Sequence, residues 1–319
     1  GGATPTTSKV AILSRSFRSD ADVDYTFAQV AIDRPAVDYR PNCGNISAAV
    51  GPFAVQAGLV RPTEGRTIVR IFNTNTERYI EAEFLVEGGQ FVADGDIAIP
   101  GVPGHGSPVY LTFIRPDGGA TGSLFPTGNL VDRIMFSDGS AVDVSVVDAG
   151  NLTVIVDGSS LPDGWDAPWF SDDVDFSLGQ WLERIRQEIG YQLNLYTPTT
   201  SIHPATHALP KITVVDSPRP YLSRAGQNIL PEQITIIARA ITMGKPHPAY
   251  PLTGGTALAA CVKIPGTVAN RLASLSPKPS GLVHIGHPSG VTPVDVSVSM
   301  VEGHWQVEAT RSVRTARPL

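Results

Sequence analysis

Apolar positions along the chain recur mostly in short runs broken by Gly, Pro, Asp and Asn, the signature of strands joined by tight turns. Val10–Ser14, Val23–Ile32, Thr67–Asn73, Tyr79–Val86 and Val109–Arg115 are rich in β-branched and aromatic residues. The same texture returns at Val142–Val147, Leu152–Val156, Ile212–Val215, Ile234–Ile241, Leu282–Ile285, Val294–Val301 and Trp305–Ala309. Three segments carry helical spacing instead. The first begins at Cys43-Gly44-Asn45 and runs through Ala48, Ala49, Val50, Phe53, Ala54 and Val55 to a stop at Gly58. The second spans about Ser177 to Leu195, with Leu178, Trp181, Leu182, Ile185, Ile189 and Leu193 on one face and charges between them. The third starts at Thr253-Gly254-Gly255 and continues through Thr256-Ala257-Leu258-Ala259-Ala260-Cys261-Val262 until Pro265 ends it.

The first and third helices resemble each other. Each opens on glycine and is small and apolar nearly all round, the mark of a helix buried on every side. Each sits among strands within its half of the chain. The economical architecture is therefore α+β, with two similar β-rich halves, each a barrel-like sheet wrapped round a central helix. Residues 1–126 form the N-terminal half round helix 43–58, with the C-terminal strand 310–319 joining it. Residues 127–309 form the C-terminal half round helix 254–264, and Pro126-Thr127-Gly128-Asn129 is the expected crossover. One large β-rich domain with incidental helices is the alternative.

Composition narrows the function classes. A chain of 319 residues with 42% hydrophobic and 17% charged residues is not intrinsically disordered. A net charge of −6 removes the basic footprint that phosphate-backbone binding demands, so no nucleic-acid partner is expected. Gly 31 and Pro 27 are scattered as turn punctuation and form no repeat. Two cysteines are too few for a disulfide scaffold. No apolar run approaches the roughly 20 residues that span a bilayer, and Gly1-Gly2-Ala3-Thr4-Pro5-Thr6-Thr7-Ser8-Lys9 has no signal-peptide core. The expectation is a soluble, acidic, intracellular (cytoplasmic) protein with no membrane partner.

Candidate chemistry concentrates at the helix starts. Helix N-termini present unpaired N–H groups and partial positive charge, so two facing each other make a site for carboxylates. The first opens with Asn42-Cys43-Gly44-Asn45. A cysteine there has its thiolate favoured by the helix end, and the glycine lets a ligand approach the backbone; the other reading is a buried, inert thiol. Cys261, about two turns into the third helix among alanines, is expected to be core. Lys9 directly precedes an apolar strand, either as a snorkelling surface residue or as a cation with depressed pKa that acts as a base. The seven histidines form no metal-binding spacing; His203 and His207 are four apart, but Pro204 argues against a shared helical face. No zinc signature, phosphate loop, G-x-S-x-G elbow or G-x-G-x-x-G fingerprint occurs. Asn45-Ile46-Ser47 and Asn151-Leu152-Thr153 match the glycosylation sequon where packed or ligand-facing backbone is expected.

Val23-Asp24-Tyr25 through Phe27-Ala28-Gln29-Val30, Asn42-Cys43-Gly44-Asn45 and Ala48-Ala49-Val50-Gly51-Pro52-Phe53-Ala54 closely resemble the PrpF family. That family includes 2-methylaconitate cis-trans isomerase, aconitate isomerase, methylitaconate isomerase and 4-oxalomesaconate tautomerase, with the fold of diaminopimelate epimerase. The likeness covers nearly the whole chain. Gly1-Gly2-Ala3-Thr4 to Ser8-Lys9-Val10 looks like the segment that carries the family's catalytic lysine. Pro126-Thr127-Gly128-Asn129, Asp148-Ala149-Gly150-Asn151, Met243-Gly244 with His247, Ile264-Pro265-Gly266-Thr267-Val268 and Gly286-His287-Pro288-Ser289-Gly290 are similar to later family signatures.

The resemblance implies a cofactor-independent isomerase of small unsaturated di- or tricarboxylic acids, with Lys9 as general base and Cys43 as the opposing acid–base or substrate-facing group. Asn42, Gly44 and Asn45 would line the carboxylate pocket, with Asn151, Thr253, Gly254 and Ser289 contributing from the second half. No metal is implied, and a homodimer is the default for an intracellular enzyme of this size. Arg66, Arg70 and Arg239 are candidate carboxylate clamps. A lysine base working near neutral pH needs its pKa lowered from roughly 10.4 by burial or a neighbouring cation. Diaminopimelate epimerases carry a cysteine at each central helix, whereas here Thr253-Gly254-Gly255 fills the second position. Symmetric two-thiol racemisation thereby loses its second base, and an asymmetric proton shift is favoured over an amino-acid epimerase or racemase. A non-catalytic carboxylate-binding relative is the other alternative. Family members also carry a preceding segment with an Arg-Gly-Gly-Thr-Ser-Lys-like turn that contributes to the site; this chain is expected to start after it and to stop, at Arg317-Pro318-Leu319, short of the usual end.

Overall fold

The computed structural model describes residues 4, 7–32, 35–136, 138–161, 176–196, 208–242, 245–274 and 281–318. The expected signature residues Gly1–Ala3 and Met243-Gly244, and the histidines His203 and His207, lie outside the described residues.

Thirteen strands follow one path through a single large sheet. In chain order they are β1 (Lys9–Arg15), β2 (Val23–Val30), β3 (Gly65–Asn73), β4 (Arg78–Glu87), β5 (Pro108–Ile114), β6 (Asp132–Met135), β7 (Ala141–Ala149), β8 (Asn151–Asp157), β9 (Lys211–Asp216), β10 (Ile236–Thr242), β11 (Val283–His287), β12 (Gly290–Val301) and β13 (His304–Thr315). The spatial order is β1-β2-β3-β4-β5-β13-β12-β11-β10-β9-β8-β7-β6. Among the described residues four α-helices accompany them: α1 (Gly44–Gln56), α2 (Phe176–Gln192), α3 (Leu252–Lys263) and the short α4 (Val268–Leu272), whose cap Thr267 accepts the Asn270 N–H at 3.2 Å. The result is α+β, mostly sheet. The Pro126–Asn129 turn, held by Thr127 and Asn129 donating to the two oxygens of Asp132, carries the chain from β5 to β6 at the far edge.

Two helices each seat against one stretch of the sheet. On the first stretch, Thr67, Val69 and Ile71 of β3 face inward while Arg66, Ile68 and Arg70 face water. This period-two alternation is that of a sheet covered on one face. Its inward residues, with Val23, Tyr25, Phe27, Ile80, Phe84, Leu111 and Phe113, enclose Ala48, Val50, Ala54 and Val55 of α1. On the second stretch the strands are buried almost without interruption, because both faces are covered. Val147, Ile155, Ile236 and Ala238 face α3, whereas Val144, Val146, Val154, Ile212 and Val214 face Trp181, Leu182, Ile185 and Ile189 of α2. The amphipathic second helix of the sequence is thus the outer layer of the second stretch.

The two central helices differ in burial. Every residue of α3 from Leu252 to Val262 is buried, as its composition implies. Helix α1 departs from that expectation: Asn45, Ala49, Phe53 and Gln56 form an exposed stripe, with Phe53 53% exposed. The strands of the first stretch pack against the opposite face of α1 and leave this stripe uncovered. No helix among the described residues is long and apolar enough to cross a membrane.

Helix α1 approaches its sheet at Gly51, where an added Cβ would lie 2.7 Å from Phe84 Cε1 and 2.9 Å from Ala82 Cβ. Gly51→Ala is expected to cost about 1–3 kcal/mol of stability through overpacking, whereas Ala49→Ser on the exposed stripe stays within about 0.5 kcal/mol. Urea unfolding at 25 °C checks both, and equal midpoints for Gly51→Ala and the parent chain would show that the helix is not seated this closely.

Candidate active site

The starts of α1 and α3 meet end to end. Gly44 is one reason they can: a Cβ there would fall 2.8 Å from Leu252 Cβ of the facing helix. The glycine expected to admit a ligand therefore also admits the opposite helix. Asn151, the first residue of β8, locks the meeting point. Its Oδ1 accepts the Asn42 backbone N–H at 2.9 Å, and its Nδ2 donates to the Asn42 carbonyl at 2.9 Å and to Thr253 Oγ1 at 2.7 Å. Gly150, at φ +72°, turns the chain into this position; its missing Cβ leaves room for the Thr253 carbonyl, which would stand 3.2 Å away. On the other side Asn42 Oδ1 accepts from the Cys43 N–H at 2.7 Å and from Asn73 Nδ2 at 3.1 Å. Asn151, expected as a substrate-binding residue, thus uses its side-chain amide to hold the two helix starts together, taking the backbone N–H and carbonyl of Asn42 on one side and Thr253 on the other.

A cleft of about 690 Å³, open solvent at its mouth included, lies along this junction. Lys9, Asn42, Cys43, Gly44, Asn45, Asn151, Thr253 and Gly254, eight of the nine residues singled out from the sequence, line it. The first-turn N–H groups of both helices lack intrahelical acceptors, and neither first turn holds an acidic side chain. Ser289 is not part of the lining: its hydroxyl donates to the Pro248 carbonyl at 2.6 Å, and its side chain packs at Gly101. The proposed arginine clamps are elsewhere too. Arg66 pairs with Glu83 and Arg70 with Glu81 on the outward face that strand alternation gives them, and Arg239 is buried in β10 outside the cleft lining.

Lys9 Nζ lies 3.4 Å from Cys43 Sγ, donating to a thiol that is 8% exposed. Strand pairing to Gln29 fixes Lys9 at the head of β1 and turns its side chain inward, so it does not snorkel. Cys261 is fully buried in α3, and burial pushes its thiol well up. Tyr25, buried under α1 near Cys43, is likewise pushed far up, first by burial and then by the neighbouring thiol.

Two cleft residues were missed as site residues. Lys211 opens β9 beside Thr153, and burial, then Lys9 and Arg186, push its pKa down to about 8. A signal existed, since Pro210-Lys211-Ile212 places a lysine directly before an apolar strand as Ser8-Lys9-Val10 does. His247 also lines the cleft; it stands in a family-like signature, with no property of its own to set it apart. Among the described residues no group of His, Cys, Asp and Glu is arranged to hold a metal ion.

Comparison with known proteins bears on this geometry. The profile of the family described as PrpF protein matches residues 1–319. The 3-methylitaconate isomerase of Eubacterium barkeri is 38% identical over 99% of this chain and 82% of its own length. The 2-methyl-aconitate isomerase of Shewanella oneidensis is 35% identical over 100% of this chain and 81% of its own. A crystal structure of methylitaconate-delta-isomerase superposes with a TM-score of 0.80 at 36% identity, covering 99% of this chain and 81% of that one. A hydroxyproline epimerase from Agrobacterium vitis shares the fold alone, at TM-score 0.55 and 14% identity over 97% of this chain and 72% of its own. The fold is accordingly of the diaminopimelate epimerase type.

Lys211 generates a prediction with a definite sign. Its pKa is about 8 when folded against 10.5 in the unfolded chain, so its charge opposes folding. Below pH 8 both states are protonated and the penalty is complete; between pH 8 and 10.5 the folded state sheds its proton first and the penalty fades. Lys211→Met is therefore expected to melt higher than the parent at pH 7, with the gap narrowing above pH 8. A variant that melts lower at pH 7 would show that the lysine is held by favourable contacts instead.

Proposed function

The chain belongs to the PrpF family, and we propose that it is an isomerase of small unsaturated di- or tricarboxylic acids, moving or rotating a C=C bond by proton abstraction and return. The observation that carries this reading is the Lys9–Cys43 pair, 3.4 Å apart where two helix N-termini open on one cleft. Carboxylates suit that cleft twice over: first-turn N–H groups offer donors and partial positive charge, and Lys211 adds a cation.

In this reading Lys9 takes a proton from the carbon α to a carboxylate, or from the allylic carbon. The electron pair delocalises onto the carboxylate as a dienolate, which the helix-start N–H groups and the Lys211 ammonium stabilise. The Cys43 thiol then delivers a proton to another carbon, or to the same carbon after rotation about the delocalised bond, and the Lys9 ammonium, 3.4 Å away, reprotonates the thiolate and restores both groups. Thr253, where a two-thiol enzyme has its second cysteine, offers a hydroxyl too weakly acidic for that role, so an asymmetric shift is favoured over amino-acid racemisation. Substrate contacts fall to Gly44, Asn45, Thr253 and Gly254, behind which Asn42 and Asn151 hold the frame. The reading calls only on side chains and backbone N–H groups, so the proposed reaction is cofactor-independent, and the proposed location is the cytoplasm. A homodimer is the working assumption for assembly.

The test is proton NMR in deuterium oxide with cis-aconitate, trans-aconitate, 2-methylaconitate and methylitaconate in turn. Deuterium uptake or a new vinyl signal is expected with at least one acid. Lys9→Ala is expected to slow that exchange by about 100- to 10,000-fold, the usual worth of a general base. Full activity in Lys9→Ala would remove the lysine from the mechanism, and a folded protein inert toward every acid would remove the isomerase reading.

A further inference from the structure

Helix α2 turns an apolar face to the sheet, and one buried position on it breaks the pattern. Arg186, flanked by Leu182, Ile185 and Ile189, is 4% exposed. A buried guanidinium is costly unless it is paired and hydrogen-bonded on every side. One side is met within the helix: Nε and Nη2 donate to the two oxygens of Glu183 at 2.8 and 2.6 Å, a planar fork on a carboxylate. The other side leaves the helix. Nη1 donates to Tyr196 Oη at 2.7 Å and, at longer range, to the carbonyls of Leu209 at 3.4 Å and Pro210 at 3.5 Å. The Tyr196 hydroxyl passes the contact on by donating to the Leu209 carbonyl as well. Gly190 makes room for that tyrosine, since a Cβ there would collide with its ring.

The two carbonyls belong to the residues that lead into Lys211, and the Pro210 carbonyl shares a peptide plane with the Lys211 nitrogen. Strand pairing starts only at Lys211 on the β8 side and at Ile212 on the β10 side. Side chains therefore hold this lead-in where the ladder does not. Arg186 and Tyr196 take its carbonyls, and Asp38, itself forked by Arg40, accepts the Ala208 N–H at 3.4 Å. Arg186 lies outside the cleft lining, whereas Lys211 is part of it. From this chain of contacts we infer that Arg186 is a positioning residue of the isomerase: from the outer helix, through Tyr196 and the Leu209-Pro210 carbonyls, it fixes where the Lys211 ammonium stands in the cleft. The inference rests on the isomerase reading of that cleft.

The guanidinium also reaches Lys211 through charge. Burial first, then the positive charges of Lys9 and Arg186, push Lys211 down to about 8, while Cys43 and Asp38 push the other way; His247 faces it too. The ammonium that bears on the dienolate is thus present below about pH 8 and lost above it. Removing Arg186 takes away one of the cations that favour the neutral amine, so the loss of the ammonium moves to higher pH.

Two variants of the full chain separate this role from a purely structural one. Glu183→Gln with Arg186→Met removes the buried pair together, an exchange that commonly leaves stability unharmed. Its melting temperature is expected to match or exceed that of the parent. The Lys211 midpoint, read without substrate from the ¹³Cε shifts of ¹³C-lysine-labelled protein and assigned through Lys211→Met, is expected to rise by about half a unit or more. In the deuterium-exchange assay its kcat is expected to fall about 10- to 100-fold, the usual result of slight misplacement of a group facing the substrate. Arg186→Lys keeps the charge and loses the planar fork, so the midpoint is expected to stay in place while kcat falls at least about threefold. An unmoved midpoint in the double variant, a kcat within threefold of the parent, or a kcat that falls only in step with melting temperature would overturn the role and leave the isomerase reading standing. Should the double variant not fold, parental kcat in Arg186→Lys would overturn it instead. A parent protein inert toward every acid would sink the isomerase reading and this role with it, whatever the midpoint.

Discussion

Two helix N-termini pointed at one another repel, because each is the positive end of an aligned set of peptide dipoles. Holding them together is the constraint on which the rest of this structure depends. Asn151 meets it by treating the Asn42 peptide as a strand partner, with one bond to its N–H and one to its carbonyl, and by holding Thr253 of the other helix with its remaining amide proton. Leu252 fills the space that Gly44 leaves open. In the proposed function the repulsion that the amide clasp contains becomes the means of holding an anion, and Lys211 at the head of β9 raises the same positive field.

The sheet supplies the rigidity for this. Its second stretch lies between α2 and α3, so β8, β9 and β10 are buried on both faces and present Asn151, Lys211 and Ala240–Thr242 to the cleft from fixed backbone. Its first stretch is covered on one face, and β1 delivers Lys9 from an edge strand against the start of α1. The proposed base Lys9 thus comes from the less enclosed side of the molecule, and Lys211 from the more enclosed side.

Elements and their order were legible because local chemistry writes them: β-branched runs between turn residues gave the strands, and small apolar helices opening on glycine gave the two central helices. The exposed stripe of α1 was not legible, since its residues look like those of α3. Lys9 and Cys43 were found through helix position and family likeness, whereas Lys211, bearing the same local signal as Lys9, was passed over. Asn42 and Asn151 line the cleft as expected, but their bonds to each other were not legible, because partners 109 residues apart leave no local trace. The candidate arginines were left open between clamp and ordinary surface residue for a related reason: Arg66 and Arg70 fall on the outward beat of β3, and charge alone does not say which beat is inward.

The joint between the two stretches has a consequence for how the molecule comes into being. Strand β5 ends at Ile114, and the strand that covers its open edge, β13, begins only at His304. At about 5–20 residues per second, a ribosome leaves that edge bare for roughly 10–40 s, with the first half otherwise able to collapse on α1. An uncovered strand of alternating apolar residues is a template for mispairing. Production of active protein is thus a race between translation and aggregation. Slow codons or low temperature between β5 and β13 lengthen the exposure, and a chaperone that shields that one strand shortens its risk.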